Sequence, residues 1–157
     1  FVIIPHEIST GGLQRIRYVL SGKSLLYSEC DANTDFSQVQ VLIIDFIGAL
    51  AYIYRYARMA YVGGGFTRLL HSVIEATVYG VPVAFGPRTH RKAVAQEMMR
   101  QGIGFRTPDY NALNTWYTDL WDDDERLQYI RGKAALYVSF NTGATNRISK
   151  TISQGTA

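Results

Sequence analysis

Val62-Gly63-Gly64-Gly65-Phe66, followed by His71-Ser72-Val73-Ile74-Glu75 and then by Gly80-Val81-Pro82-Val83, decides how this chain is read. The apolar run from Met59 to Val62 ends in three glycines, and a short helical pattern with one acidic residue follows. A Gly-x-Pro turn then leads into a second apolar run ending at Phe85. That is a strand, a glycine-lined turn, a helix and another strand. Glycines such as Gly64 and Gly65 at the carboxyl end of a buried strand let a phosphate approach the backbone and meet the next helix. A Glu one turn into that helix is placed to accept hydrogen bonds from a ribose. The stretch points to a nucleotide, and more narrowly to a sugar nucleotide.

The same alternation extends in both directions. Strands are expected at Phe1–Ile4, Ser24–Tyr27, Val39–Ile44, Met59–Val62, Pro82–Phe85 and Gly104–Arg106, with helices near Thr10–Leu20, Gly48–Tyr56, Ser72–Tyr79 and Lys92–Gln101 between them. Most strands are short continuous apolar runs, as when both faces of a sheet are covered. Strand–helix alternation implies an α/β Rossmann-like domain with a parallel sheet of about six strands. Ser28 to Ser37 is polar and aperiodic and reads as a mobile loop. Beyond Pro108 only helical patterns remain, at Ala112–Trp121, Asp124–Phe140 and roughly Thr145–Ile152, and the polar tail 153–157 is expected to fray.

Composition bounds the alternatives. The 157 residues suit one domain with a real core, and 47% hydrophobic against 18% charged residues excludes a disordered chain. No apolar run reaches the roughly 20 residues that span a bilayer, and no signal-peptide pattern is read. The chain opens inside a strand, so it is expected to be an excised part of a longer protein. The lone Cys30 rules out an internal disulfide and suits a reducing compartment. A net charge of +3 is mildly basic, with Arg55, Arg58, Arg68, Arg88, Arg91 and Lys92 near the glycine motif. They attract a phosphate or an anionic membrane surface, or else form an ordinary solvated face. The aromatics are not interleaved with basic residues, so no nucleic acid partner is expected.

Glu75 has apolar neighbours, and a carboxylate buried without partners costs several kcal/mol. It either binds a ribose, caps a neighbouring helix, or pairs with Arg68 or Arg88. Ser72 is expected at the N-cap or first turn of the same helix, where its hydroxyl serves the helix, a phosphate or both. Asp45-Phe46-Ile47-Gly48-Ala49-Leu50 repeats the strand-to-helix arrangement, with Gly48 clearing space for a ligand or simply for a tight junction. Pro5-His6-Glu7 follows the first strand, which puts His6 on the carboxyl edge of the sheet. His6 and Glu7 point to opposite sides of an extended chain and are not a catalytic dyad. His6, His71 and His90 lack metal-ligand spacing, so no metal is expected. Asp122-Asp123-Asp124-Glu125 contains an Asp-x-Asp, yet it lies between helices and reads as an acidic helix N-terminus. Arg68 stands where a dinucleotide fingerprint needs its last glycine, which leaves an NAD-dependent oxidoreductase poorly supported.

Pro-His-Glu, Asp-x-x-Gly-x-Leu, Val-Gly-Gly-x-Phe, His-x-x-x-Glu and Gly-Pro-x-x-His in this order resemble the C-terminal half of 3-deoxy-D-manno-octulosonic acid (Kdo) transferases. The resemblance covers most of the chain to about Arg106 and continues more loosely through the terminal helices. It implies the C-terminal half of a GT-B glycosyltransferase, which transfers Kdo from CMP-Kdo to a lipid A precursor in lipopolysaccharide biosynthesis. By that resemblance residues 1–157 form a single donor-nucleotide-binding domain whose acceptor-binding N-terminal domain, with the catalytic Glu, lies outside this chain. The resemblance assigns nucleotide contacts to Pro5, His6, Gly48, Ala49, Leu50, Gly64, Gly65, Ser72, Val73, Ile74 and Glu75. Many members carry Arg where His6 stands, Glu where Ala49 stands, Asn where Ser72 stands and Pro where Ala76 stands. It also implies no catalytic residue in this piece, no cofactor or metal, and a full-length enzyme at the cytoplasmic face of the inner membrane. The piece itself is expected to be soluble, inactive alone and able to bind CMP-Kdo. The alternatives are a GT-B domain using a UDP-sugar and a non-catalytic module that binds a nucleotide or a protein.

Overall fold

Val83, Ala84 and Phe85 have no exposed surface, and their strand lies between two others in a parallel sheet. The structure, a computed structural model, describes residues 1–67, 70–90 and 92–154. Strands are β1 (Val2–Ile3), β2 (Ser24–Leu26), β3 (Val41–Ile43), β4 (Ala60–Val62), β5 (Val83–Phe85) and β6 (Gly104–Arg106). Helices are α1 (Thr10–Val19), α2 (Leu50–Ile53), α3 (Ile74–Thr77), α4 (Ala93–Arg100), α5 (Tyr110–Trp121), α6 (Asp124–Asn141) and α7 (Ala144–Gln154). The last helix reaches into the tail expected to fray, whose final residues, 155–157, lie outside the described residues.

The six expected strands are present and all pair in parallel, but in two ladders of three, ordered β1-β3-β2 and β4-β5-β6. The chain divides into two compact units, Phe1–Ile53 (unit 1) and Tyr54–Ala157 (unit 2).

Unit 2 has the larger core. Phe85 packs with Val62, Val73, Met98, Ile103 and Leu120 among others, and α6 adds Leu127, Ile130 and Ala134 from one face. Asp109 caps α5 by accepting from the Ala112 N–H at 2.8 Å, and Asp123 caps α6 by accepting from the Arg126 N–H at 2.8 Å. The acidic cluster at 122–125 is therefore a helix start, as its position suggested. In unit 1 the buried apolar residues are Val41, Ile43, Ile44 and Ala49, on β3 or in the segment that follows it.

Two helices are shorter than their patterns suggest. The expected helix Gly48–Tyr56 starts only at Leu50, because Gly48 has φ 101° and is not helical, and it passes at Tyr54–Tyr56 into a 3-10 turn. The expected helix Ser72–Tyr79 shrinks to Ile74–Thr77, and its β-branched residues (Val73, Ile74, Thr77, Val78) are weak helix formers. The loop expected at Ser28–Ser37 is irregular but tied internally. Asp31 accepts from the Asn33 N–H at 2.9 Å, and Asp35 accepts from the Ser37 N–H at 2.8 Å.

Candidate functional site

The glycine-lined turn leaves β4 at the carboxyl edge of the unit 2 sheet. All three of its carbonyls are occupied. Gly63 O accepts from the His71 N–H at 3.2 Å, Gly64 O from the Thr67 N–H at 3.1 Å, and Gly65 O from the Arg88 N–H at 2.9 Å. No acceptor among the described residues takes the N–H of Gly64, Gly65 or Phe66. Gly65 lies against the turn that follows β5. A Cβ on Gly65 would stand 2.5 Å from the Gly86 nitrogen, and one on Gly86 would stand 2.6 Å from the Gly65 carbonyl carbon. Glycine is required here for backbone-to-backbone packing, whatever else the turn binds.

Glu75 is half-buried on α3. Among the described residues its carboxylate has neither a hydrogen bond nor an ion pair. Arg68, one of its expected partners, lies outside the described residues, as does Arg91. The other, Arg88, is exposed and uses its backbone N–H on Gly65. Among the described residues Glu75 does not cap a helix either. Its charge adds to burial in pushing the half-buried Tyr54 phenol up from its ordinary range. The cap expected of Ser72 is also absent. Val73 holds the N-cap position with no side-chain bond, and Ser72 sits one residue outside, exposed. Val73 is buried and Ile74 half-buried, so their part in any contact falls to the backbone.

On unit 1 the Ile3↔Ile43 register sets Pro5 and His6, after β1, beside Asp45–Leu50, after β3, on one carboxyl edge. His6 and Gly48 are exposed, Pro5 is half-buried and Ala49 is buried. Leu50, partly exposed, opens α2. Gly48 has a positive φ of 101°, a conformation that favours glycine, and a Cβ there would meet nothing within 4 Å.

Unit 1 also brings together residues that the sequence reading left unassigned. The Ser28 N–H donates to Asp45 Oδ1 at 3.0 Å, and the Ser28 hydroxyl donates to Oδ2. The hydroxyl bond leads in holding the Asp45 carboxyl below the usual range. Next to this clamp the rings of Tyr27 and Phe46 meet at 5.1 Å. The only hint was a Ser and an Asp, each directly after a strand.

Two members of the basic cluster expected beside the glycine motif are engaged in structure. Arg58 donates to the Trp121 carbonyl at 2.8 Å and pairs with Asp124, while Arg55 lies 5.8 Å from the centre of the Tyr79 ring. Among the described residues no three His, Cys, Asp or Glu side chains group to hold a metal ion. No helix among them is long and apolar enough to cross a membrane.

No protein-family model matches the chain. It is 33% identical over 111 residues to a 3-deoxy-D-manno-octulosonic acid transferase of Bordetella pertussis, a match covering 69% of this chain and 26% of that protein. It is 36% identical over 103 residues to the transferase of the same name from Chlamydia muridarum, covering 63% of this chain and 24% of that protein. The chain thus spans about a quarter of the length of these curated relatives. The crystal structure of the C-terminal CMP-Kdo binding domain of WaaA from Acinetobacter baumannii matches with a TM-score of 0.73. That match covers 85% of this chain and 70% of the other at 18% identity, and it establishes a common fold. On these matches this chain is a relative of the 3-deoxy-D-manno-octulosonic acid transferases.

Proposed function

We propose that this chain is the donor-binding part of a glycosyltransferase that moves Kdo from CMP-Kdo to a lipid A precursor. The observation that carries the reading is the half-buried Glu75, which has no described protein partner and follows a turn with three unclaimed N–H groups. A carboxylate in that state gains most from two hydroxyls of one ribose. N–H groups whose own carbonyls are already bonded are oriented in advance for an anion.

α2 and α3 are single turns, so their macrodipoles are small, and the N–H groups of the Gly64–Phe66 turn are the better stabilisers of charge leaving on CMP. In this reading the acceptor and the catalytic carboxylate come from the part of the longer protein outside this chain. Closure of that part on the bound donor sets the reacting geometry. No metal is needed if backbone N–H groups and cationic side chains meet the phosphate. The whole enzyme would act at the cytoplasmic face of the inner membrane, where its lipid acceptor lies.

The test is a titration of the chain with CMP, UMP and NAD, followed by amide NMR shifts. Shifts at Gly64–Phe66 and Ser72–Glu75 with CMP alone are expected. An equal response to UMP would transfer the reading to a UDP-sugar enzyme, and no response to any of the three would overturn it. Glu75→Ala is expected to weaken CMP binding by about 1–3 kcal/mol, the worth of a charged hydrogen bond, while the fold persists.

A further inference from the structure

An arginine of unit 2 is tethered by its backbone to the glycine turn. The loop after β5 runs Gly86-Pro87-Arg88-Thr89-His90, at the same carboxyl edge as the turn after β4. The Arg88 N–H donates to the Gly65 carbonyl at 2.9 Å, and the Gly86 backbone packs directly on that of Gly65. Among the described residues the exposed Arg88 guanidinium makes no ion pair and no hydrogen bond. Arg55 and Arg58 are committed to Tyr79, Trp121 and Asp124, and Lys92 lies four residues farther along, at the N-cap of α4.

The tether is fixed at both ends. Thr89 is buried and its carbonyl accepts the Lys92 N–H at 2.9 Å, while Gln96 Nε2 donates to the His90 carbonyl at 3.1 Å. The backbone under Arg88 is thus ordered before any ligand arrives, which lowers the cost of binding. In the trans peptide after Gly65, the Phe66 N–H points away from the carbonyl that Arg88 holds. The long side chain of Arg88, not its backbone, is therefore the part that can reach the N–H side of the turn. Gly64, with φ 83°, has the left-handed conformation from which backbone anion nests are built. No carboxylate occurs in the sequence between Val62 and Ile74 to compete for the guanidinium.

Resting on the nucleotide reading above, we propose that Arg88 binds the phosphate of the donor, alongside the N–H groups of Gly64–Phe66. Its planar fork matches two phosphate oxygens, which a point charge does not. In the transfer the bond between the sugar and a phosphate oxygen breaks, and the acceptor oxygen bonds to the sugar. The acceptor's proton goes to the carboxylate outside this chain, and the electron pair left behind adds one negative charge to the phosphate. Arg88 meets the leaving group where that charge grows.

The test measures CMP affinity of the chain and three variants by amide NMR titration. Arg88→Gln keeps a polar stem without the charge and is expected to weaken CMP binding about tenfold. Arg88→Lys keeps the charge without the fork and is expected to recover part of that loss. Arg100→Ala removes an equal charge at the far end of α4, where Arg100 pairs with Glu97, and is expected to leave CMP binding unchanged. Hydrogen exchange of the amide at position 88 shows whether its bond to Gly65 persists. CMP binding within twofold of the parent in Arg88→Gln overturns the proposal and leaves the nucleotide reading standing. An equal loss in Arg100→Ala also overturns it, since net charge would then be the cause. So does a loss in Arg88→Gln accompanied by lost exchange protection at position 88, which would trace the effect to the turn. Arg88→Lys binding no better than Arg88→Gln overturns it too, because the charge would then not be what binds. Failure of the parent chain to bind CMP removes the nucleotide reading, and the part of Arg88 with it.

Discussion

In unit 2 the central strand β5 is wholly buried, and its core draws on β4, α3, α4, α5 and α6, whereas in unit 1 the helix α1 has no fully buried residue. Unit 1, with its smaller core, also makes hydrogen bonds through its carboxylates. Asp45 takes both donors of Ser28, and Glu29 takes the Leu26 N–H at 3.1 Å and Arg17 at 2.6 Å. Asp31 and Asp35 close their own turns. Unit 2 also has a carboxylate held low, Glu97, but its partners Gln101 and Arg100 tie it only to its own helix and the residue after it. Two three-stranded parallel sheets can thus be specified differently, one by excluding water and the other by clamping loop ends. Burial carries most of the stability, and the clamps carry geometry.

The largest effect should come from deleting burial. Phe85→Ala empties the middle of the unit 2 core and is expected to cost about 3–5 kcal/mol, read as a lower urea midpoint. Leu26→Ala on the half-buried β2 should cost clearly less. Equal losses would show that unit 1 is held by burial after all.

The glycines sharpen the contrast at intermediate cost. Gly65→Ala sets a Cβ against the Gly86 backbone, which cannot give way as a flexible side chain would, and overpacking of this kind costs about 1–3 kcal/mol. Gly48→Ala meets no atom, and its cost of about 1–2 kcal/mol comes only from the left-handed backbone. Gly48→Asn should therefore recover part of the loss, since Asn tolerates that region, and Gly65→Asn should recover none. Recovery at both positions would mean that conformation, not space, explains both glycines.

The same distinction explains what could be read from the sequence. Continuous apolar runs announce buried parallel strands, so all six strands were legible, β6 to the residue. Caps at Asp109 and Asp123 follow local rules and were legible in outline. The division into two ladders was not, because strand order depends on which backbone edges meet, and no residue pattern encodes that. The Gly65–Gly86 contact joins turns about twenty residues apart, so a glycine needed for packing looked the same as one needed for a phosphate. The Ser28–Asp45 clamp was hidden for a related reason. Its members look like ordinary loop residues until β2 and β3 are paired. At the candidate site the sequence favoured Ser72 as a cap and offered Glu75 an arginine. In the structure Ser72 caps nothing, and Glu75 has no ion pair among the described residues.

The smallest expected effect tests the clamp itself. In the folded chain the Asp45 carboxyl is held below its ordinary range, first by the Ser28 hydroxyl and also by the Ser28 N–H. A carboxylate lowered on folding adds stability at pH values above its unfolded pKa of about 4, and that stability is lost as pH falls through the folded value. Acid should therefore loosen the β2–β3 edge of unit 1 before it disturbs β5, where no carboxylate takes part. Ser28→Ala removes the hydroxyl but leaves the N–H. The Asp45 midpoint, followed by its carboxyl shift and by the backbone amide shift at the substituted position as the solution is acidified, should then move up towards about 4. The Phe46 amide should move with it, since its ring stands on the same clamp. An unmoved midpoint would mean that the Ser28 hydroxyl does not hold Asp45, and the polar account of unit 1 would lose its main support.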